Sequence, residues 1–122
     1  MSGRNEGLIK SFVPGAAIAP YRCVKHDTTD NSVVQGAAAT NPLIGVSNSL
    51  GAAANDDTVD VVFSGIAEVE YGGNVTRGDL LTSDANGKAI ATTTAGNRII
   101  GIAMASGVSG DIGLALINPG SV

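Results

Sequence analysis

The stretch from Thr58 to Tyr71 alternates between apolar and polar side chains. Its odd positions are apolar except for Gly65, and its even positions include Asp60, Ser64, Glu68 and Glu70. A period of two is typical of a β-strand with one buried face. At ~3.3 Å per residue this run would extend roughly 45 Å, far beyond an ordinary strand. We therefore predict that the strand bends at Gly65, which favours two sheets or a barrel.

From Ile18 onward the chain runs through one pattern twice. A shift of 56 positions places residues 41–46 on residues 97–102, with Asn, Ile and Gly at the same offsets. After a three-residue length change, residues 59–63 match residues 112–116. The order of turn, strand and Ile-Gly step predicts two similar β units. Each unit contains a hairpin with a polar turn.

The fold class predicted is all-β, a compact β-sandwich or barrel of short strands. Glycine occurs at 17 positions, which disfavours long helices, and no amphipathic helical pattern is present. A length of 122 residues fits one domain. We assign residues 14–122 to this β domain and residues 1–13 to an extended N-terminal arm. A sandwich, a jelly roll and a small barrel all satisfy the strand pattern.

The composition predicts self-association. Hydrophobic residues make up 43% of the chain, but only 3% are aromatic and Trp is absent, so the core depends on small side chains. Each small side chain buries little area, at about 25 cal/mol per Å², and the many glycines raise the entropic cost of folding. We expect a homo-oligomer or a partner surface to supply the missing burial.

Charge and hydropathy argue against nucleic acid and membrane as partners. Residues 1–26 carry four basic side chains and one acidic one, whereas the remainder carries three basic and ten acidic ones. That acidic body would repel a phosphate backbone. No apolar run approaches ~20 residues, and the N-terminus lacks the apolar core of a signal peptide. We expect synthesis in the cytoplasm.

Few residues suit catalysis, so we predict no enzyme activity, no metal and no cofactor. His26 is in a polar turn, and Cys23 is a lone cysteine expected to be buried. The nucleophile-elbow and Walker patterns are absent. Glu68 and Glu70 share one face of a strand, where a solvent-facing polar stripe is the ordinary interpretation. Residues 55–60 offer oxygen atoms, but not the spacing of an EF-hand loop.

Several segments carry a resemblance to a known family. They are Gly-Leu-Ile-Lys at 7–10, Pro-Gly-Ala-Ala-Ile at 14–18, Leu-Ile-Gly-Val-Ser at 43–47, residues 60–73, Val-Thr-Arg-Gly-Asp-Leu-Leu at 75–81, and Arg-Ile-Ile-Gly-Ile-Ala at 98–103. The chain resembles the capsid cement, or decoration, proteins of tailed bacteriophages and prophages. Ser-Gly-Ile-Ala-Glu-Val at 64–69 and Val-Thr-Arg-Gly-Asp at 75–79 are the most specific segments.

This resemblance implies a small β protein without catalytic residues on the outer capsid surface of the virion. Such a protein binds the assembled, expanded shell in many copies and stabilises it by clamping neighbouring major capsid subunits. The resemblance also favours a homotrimer and an N-terminal arm used for attachment. A fibre, baseplate or adhesive β module that recognises a glycan or receptor, for instance through residues 77–79, is the alternative.

We expect the N-terminal arm to carry the capsid-binding residues. The segment after residue 7 is an apolar strand that ends at Pro14 and Gly15. It can pair with the body of its own chain, or it can add as a strand to an exposed sheet edge on another protein. The residues assigned to capsid attachment are Leu8, Ile9, Lys10, Phe12 and Val13.

Overall fold

The computed structural model describes residues 5–53 and 58–122, which form eleven strands and no helix. The strands are β1 (Asn5–Glu6), β2 (Ile9–Pro14), β3 (Cys23–His26), β4 (Ser32–Gln35), β5 (Leu43–Ser47), β6 (Val59–Val62), β7 (Gly65–Glu70), β8 (Leu80–Ser83), β9 (Ala89–Ala91), β10 (Arg98–Ala103) and β11 (Ile112–Ser121). The all-β fold class predicted from the sequence is confirmed.

The predicted bend in the long alternating stretch lies at the start of β7. Strand β6 ends at Val62, and β7 begins at Gly65 with a φ of 89°. This left-handed backbone conformation costs glycine little and is strained for other residues. The turn moves the chain from one sheet to another, because β6 belongs to a closed barrel and β7 belongs to a six-stranded sheet.

The closed barrel has the strand order β2-β4-β3-β5-β6. Strand β2 pairs with β6 in antiparallel fashion and with β4 in parallel fashion, so it closes the barrel. The six-stranded sheet has the order β1-β7-β11-β10-β8-β9. A parallel bridge between Tyr71 and Ala89 brings the end of β7 back to β9. This sheet therefore curls toward a second barrel.

Strands β2–β6, the first unit, and strands β7–β11, the second unit, have the same pairing scheme. In the first unit β2 pairs with β6, β6 with β5, β5 with β3 and β3 with β4. In the second unit the corresponding pairs are β7 with β11, β11 with β10, β10 with β8 and β8 with β9. The predicted pair of similar β units is therefore present. The correspondence of β2 with β7 was not recognised in the sequence, because β2 precedes Ile18, where the recognised repeat begins.

The paired strands also correct one register. Val62 lies opposite Val46 in the first unit, and Leu116 lies opposite Ile102 in the second. Val62 therefore corresponds to Leu116, one residue away from the sequence alignment. A slip of one residue exchanges the two faces of a strand, so only the pairing shows which face of β11 matches which face of β6.

Gly45 and Gly101 explain why the Ile-Gly step recurs. A Cβ atom on Gly45 would lie 2.1 Å from the carbonyl oxygen of Val62, and one on Gly101 would lie 1.9 Å from that of Leu116. Both distances are far below van der Waals contact. In each unit, a glycine is required where two paired strands, β5 with β6 or β10 with β11, bring their backbones close together.

Two clusters of buried apolar side chains hold the molecule together. The barrel core lies inside the first unit and consists of Phe12, Ile18, Val24, Val33, Val59 and Val61. The shared core contains four residues of the first unit and ten from residues 67–117. Those four are Cys23, Leu43, Val46 and Val62. The second unit is therefore packed against the outside of the first barrel.

Candidate functional site

The described surface offers no enclosed site. Over residues 5–53 and 58–122 no pocket is present, and no group of three His, Cys, Asp or Glu side chains is placed to hold a metal ion. Within these same ranges no helix is long and apolar enough to cross a membrane. Residues 55–57 of the oxygen-rich loop at 55–60 lie outside the described residues. The exposed side chains are therefore the place to look for function.

Cys23 and His26 are not arranged for catalysis. The Cys23 thiol is fully buried, and burial, with a smaller contribution from the charge of Asp84, raises its pKa to about 12. A thiol with so high a pKa is a poor nucleophile at neutral pH. His26 ends β3 at the surface, with its ring edge-on to Phe12 at 6.4 Å between centroids.

The residues assigned to capsid attachment divide into an exposed set and a buried one. Leu8, Ile9 and Val13 are 59%, 42% and 46% exposed. Phe12 points into the barrel core, where its ring meets that of Phe63 at 5.5 Å in an edge-to-face arrangement. Strand β2 pairs with its own barrel, so the first of the two arrangements left open by the sequence is the one observed. We call Leu8, Ile9 and Val13 the β2 patch.

Lys10 has a different environment from the apolar members of the segment. Its Nζ lies 4.3 Å from the ring centroid of Phe12 and donates a hydrogen bond of 2.8 Å to Oδ1 of Asn31. A cation over a ring face gains about 0.5–1 kcal/mol at an exposed site. Lys10 therefore places a positive charge at the end of the barrel where Phe12 and Phe63 pack.

Glu70 joins the two units, which sequence analysis did not predict. Its Oε1 lies 3.3 Å from Nη2 of Arg22, and its Oε2 lies 3.1 Å from Nζ of Lys88. Arg22 also donates a 2.8 Å hydrogen bond to the carbonyl oxygen of Asn86. The carboxylate is only 20% exposed, so its interpretation as part of a solvent-facing stripe is wrong. No local sequence pattern indicates this ion pair, because Arg22 and Glu70 are 48 positions apart in the sequence.

The Arg77-Gly78-Asp79 tripeptide is part of a tight turn. The Asp79 carboxylate accepts a 2.9 Å hydrogen bond from the backbone N–H of Thr76, and the Asp79 N–H donates to the Thr76 carbonyl. Gly78 has a φ of 97°. These contacts give Asp79 a role in shaping the turn.

An apolar row crosses the outer face of the second unit. Directly opposed residues of antiparallel strands point to the same face, and four such residues line up from β7 to β8. They are Ile66, Leu116, Ile102 and Leu80, which we call the open row. Leu116 and Ile102 are 42% and 36% exposed, and Ile66 and Leu80 are half-buried.

The open row was not predicted as a surface from the sequence. Its signal is that residues 99–103 and 114–117 are apolar on both strand faces, a pattern usually read as a doubly buried strand. Leu114 and Met104 extend the apolar surface beside Leu116 and Ile102. Contiguous apolar surface of this kind makes the open row a candidate interaction surface.

This combination defines a class of protein: a small, two-unit β module with apolar surfaces suited to binding other macromolecules. A family model described as phage cement protein matches residues 13–116. The chain belongs to this family, and it is thus a structural protein associated with phage capsids. A search of curated proteins finds no match.

A solved structure has the same fold. It is described as head fiber gp8.5 N base in bacteriophage phi29, and it superposes with a TM-score of 0.72 at 18% sequence identity. The match covers 91% of this chain and 93% of that one. The two-unit β architecture is therefore found in another phage head component with little sequence in common.

Proposed function

We propose that this protein binds the outer surface of the assembled, expanded capsid and clamps neighbouring major capsid subunits, with three copies forming the attached unit. Membership of the phage cement family supports this role. The structural observation that carries it is the β2 patch, where Ile9 and Val13 of strand β2 and the preceding Leu8 expose apolar surface. A patch held by a closed barrel loses little conformational entropy on binding.

The mechanism is linkage. A protein that binds only the expanded lattice adds its binding free energy to that state, by RT ln(1 + [L]/Kd) for each site. At a free concentration of about 100 times Kd this gives about 2.7 kcal/mol per copy. Repeated over the sites of a shell, such a contribution resists the pressure of packaged DNA. The protein needs no chemistry for this role, only a surface that recognises adjoining subunits.

The attachment residues are Leu8, Ile9 and Val13, with Lys10 as the adjoining positive charge. Phe12 has a different part, because it fills the barrel core and supports β2 from inside. Deleting residues 1–13 would remove most of a strand that closes the barrel. Substitutions of exposed side chains are therefore the appropriate test, since they leave the strand pairing intact.

The experiment is co-sedimentation of the purified protein with expanded and unexpanded shells that lack it. We expect saturable binding to expanded shells alone, and the copy number at saturation gives the symmetry position. Leu8→Asp combined with Val13→Asp should weaken binding at least tenfold. Leu50→Asp is the matched control, because Leu50 is 82% exposed in the loop after β5. Full binding by the double variant would exclude the β2 patch.

A second candidate function is a fibre or adhesive module, as the similarity to a head fibre base suggests. In that case a loop of this chain would recognise a glycan or receptor. The expected result is then binding to host-surface glycans on an array and none to expanded shells. Arg77→Ala would test the exposed turn directly. Binding to shells without glycan binding would reject this second function.

A further inference from the structure

The first unit contains a row of residues equivalent to the open row. Val62, Val46 and Cys23 are opposed in turn across β6, β5 and β3, and Ile9 extends the row onto β2. We call Val62, Val46 and Cys23 the covered row, since Ile9, the next residue in line, is 42% exposed. In the pairing scheme Ile9 corresponds to Ile66, Val62 to Leu116, Val46 to Ile102 and Cys23 to Leu80. The two rows therefore occupy the same place in two similar units.

The two rows differ in what lies against them. Val62, Val46 and Cys23 are 0% exposed, because they belong to the shared core formed with the second unit. Leu116 and Ile102, by contrast, remain 42% and 36% exposed. Among residues 5–53 and 58–122, the fold thus buries these three residues of the first unit and leaves Leu116 and Ile102 exposed at the equivalent positions of the second.

The covering surface also has an equivalent elsewhere in the chain. Strand β5 lies against β10 and β11, and the shared core includes Ile100 and Ile117 from those two strands. By the same pairing, Ile100 corresponds to Ile44 and Ile117 to Phe63. We call Ile44 and Phe63 the counterface, because they occupy in the first unit the positions that Ile100 and Ile117 occupy in the second.

The counterface is only partly used within one chain. Ile100 and Ile117 are 0% and 2% exposed, whereas Ile44 and Phe63 are half-buried beside the barrel core. The chain therefore contains one complete interface between its units. It also has a second copy of each side of that interface, and the described residues cover these second copies only in part.

We propose that a second copy of this chain places its counterface, Ile44 and Phe63, on the open row. The contact continues the interface already present between the two units. Because the two surfaces differ, the contact is heterologous and repeats from copy to copy into a ring or a filament.

This inference does not depend on capsid binding. Self-association through the open row occurs with purified protein alone, whereas capsid attachment is measured with shells. A protein that assembles but does not bind shells would support the inference and count against the proposed function. A protein that binds expanded shells but does not self-associate in solution would do the reverse.

The test uses two complementary variants. Leu116→Asp blocks the open row, and Ile44→Asp blocks the counterface. Each alone should weaken self-association by about 30-fold or more, measured by sedimentation equilibrium, because an unpaired charge at an interface centre is a hot-spot loss. An equimolar mixture should form a one-to-one dimer that grows no further, since one intact surface remains on each partner. Leu50→Asp should assemble like the unaltered protein.

A crosslinking experiment covers the case in which Ile44→Asp does not fold. Ile44→Cys and Ile102→Cys proteins are mixed with a short bis-maleimide. The heterologous contact predicts a crosslinked dimer in the mixture and none between two copies of the same variant. A crosslinked dimer of the Ile102→Cys protein alone would show that two open rows contact each other, and it would overturn the proposal. A monomer at all concentrations tested would overturn it as well.

Discussion

Arg22 and Glu70 form an ion pair that joins the two repeated units. Nη2 of Arg22 lies 3.3 Å from Oε1 of Glu70, and the two side chains are 17% and 20% exposed. Arg22 immediately precedes β3 of the first unit, and Glu70 ends the first strand of the second. Partial burial makes such a pair worth more than a fully exposed one, because less water screens it.

Replacing Glu70 should weaken the contact between the units. In Glu70→Gln both Arg22 and Lys88 lose their anionic partner, and we expect the free energy of unfolding to fall by about 1–2 kcal/mol. Urea denaturation followed by circular dichroism provides the measurement. Asp30→Asn at an exposed position is the control, with an expected change within about 0.5 kcal/mol. Equal effects of the two substitutions would contradict the structural role of Glu70.

Gly45→Ala should destabilise the barrel by about 3 kcal/mol or more. The added methyl group would lie 2.1 Å from the Val62 carbonyl oxygen, and two paired strands would have to separate. Gly96→Ala is the matched control, because Gly96 has a φ of 93° but no atom within 4 Å of the place where a Cβ would lie. We expect it to cost about 1 kcal/mol, from backbone strain alone. Thermal melting of both variants distinguishes crowding from strain.

Phe12 and Val13 are neighbours with opposite roles. Phe12→Ala removes a ring from the barrel core and should cost about 3–5 kcal/mol. Val13→Ala alters a side chain that is 46% exposed and should change stability by less than about 0.5 kcal/mol. Guanidinium denaturation of both variants makes the comparison. If Val13→Ala were the more destabilising change, the assignment of Val13 to the β2 patch would be wrong.

The buried Cys23 thiol predicts a loss of stability in alkaline solution. Its folded-state pKa is raised from 9.0 to about 12, so the unfolded chain releases this proton first as pH rises. Stability due to this group is therefore fully present below pH 9 and is lost between pH 9 and 12. The slope approaches about 1.4 kcal/mol per pH unit.

A pH series of urea denaturation curves tests this prediction. Tyr71, whose pKa is also raised by burial, adds to the loss above pH 10, so the range from pH 9 to 10 reports Cys23 most directly. In Cys23→Ala the slope over that range should become markedly smaller. An unchanged slope would show that another group titrates there.

Local sequence patterns were enough to predict much of the fold. The alternation around Gly65 predicted strands on both sides of a corner, and the recurrent Ile-Gly step predicted two units. These signals are local because strand alternation and left-handed glycine conformations depend on a few neighbouring residues. The correspondence of β2 with β7 was missed, since Phe12 and Val69 share position but not sequence context.

The candidate surfaces were predicted less completely. The sequence analysis assigned Leu8, Ile9 and Val13 to capsid attachment, but it grouped them with Phe12, whose burial depends on the closure of the barrel. The open row has the sequence pattern of a buried strand, because an apolar strand has the same pattern whether or not another element covers it. Only the folded structure shows that Leu116 and Ile102 are exposed, whereas Val62 and Val46 at the equivalent positions of the first unit are buried.

By itself, the sequence determined that this chain is all-β, has two similar units and turns a corner at Gly65. It also carried enough of the phage cement pattern to identify the family. The tertiary structure alone decided which apolar faces are covered, the register of β11 and the ion pair between Arg22 and Glu70. These features depend on residues far apart in the chain meeting in space, and side-chain alternation along one strand contains no information about the partner strand or the unit packed against it.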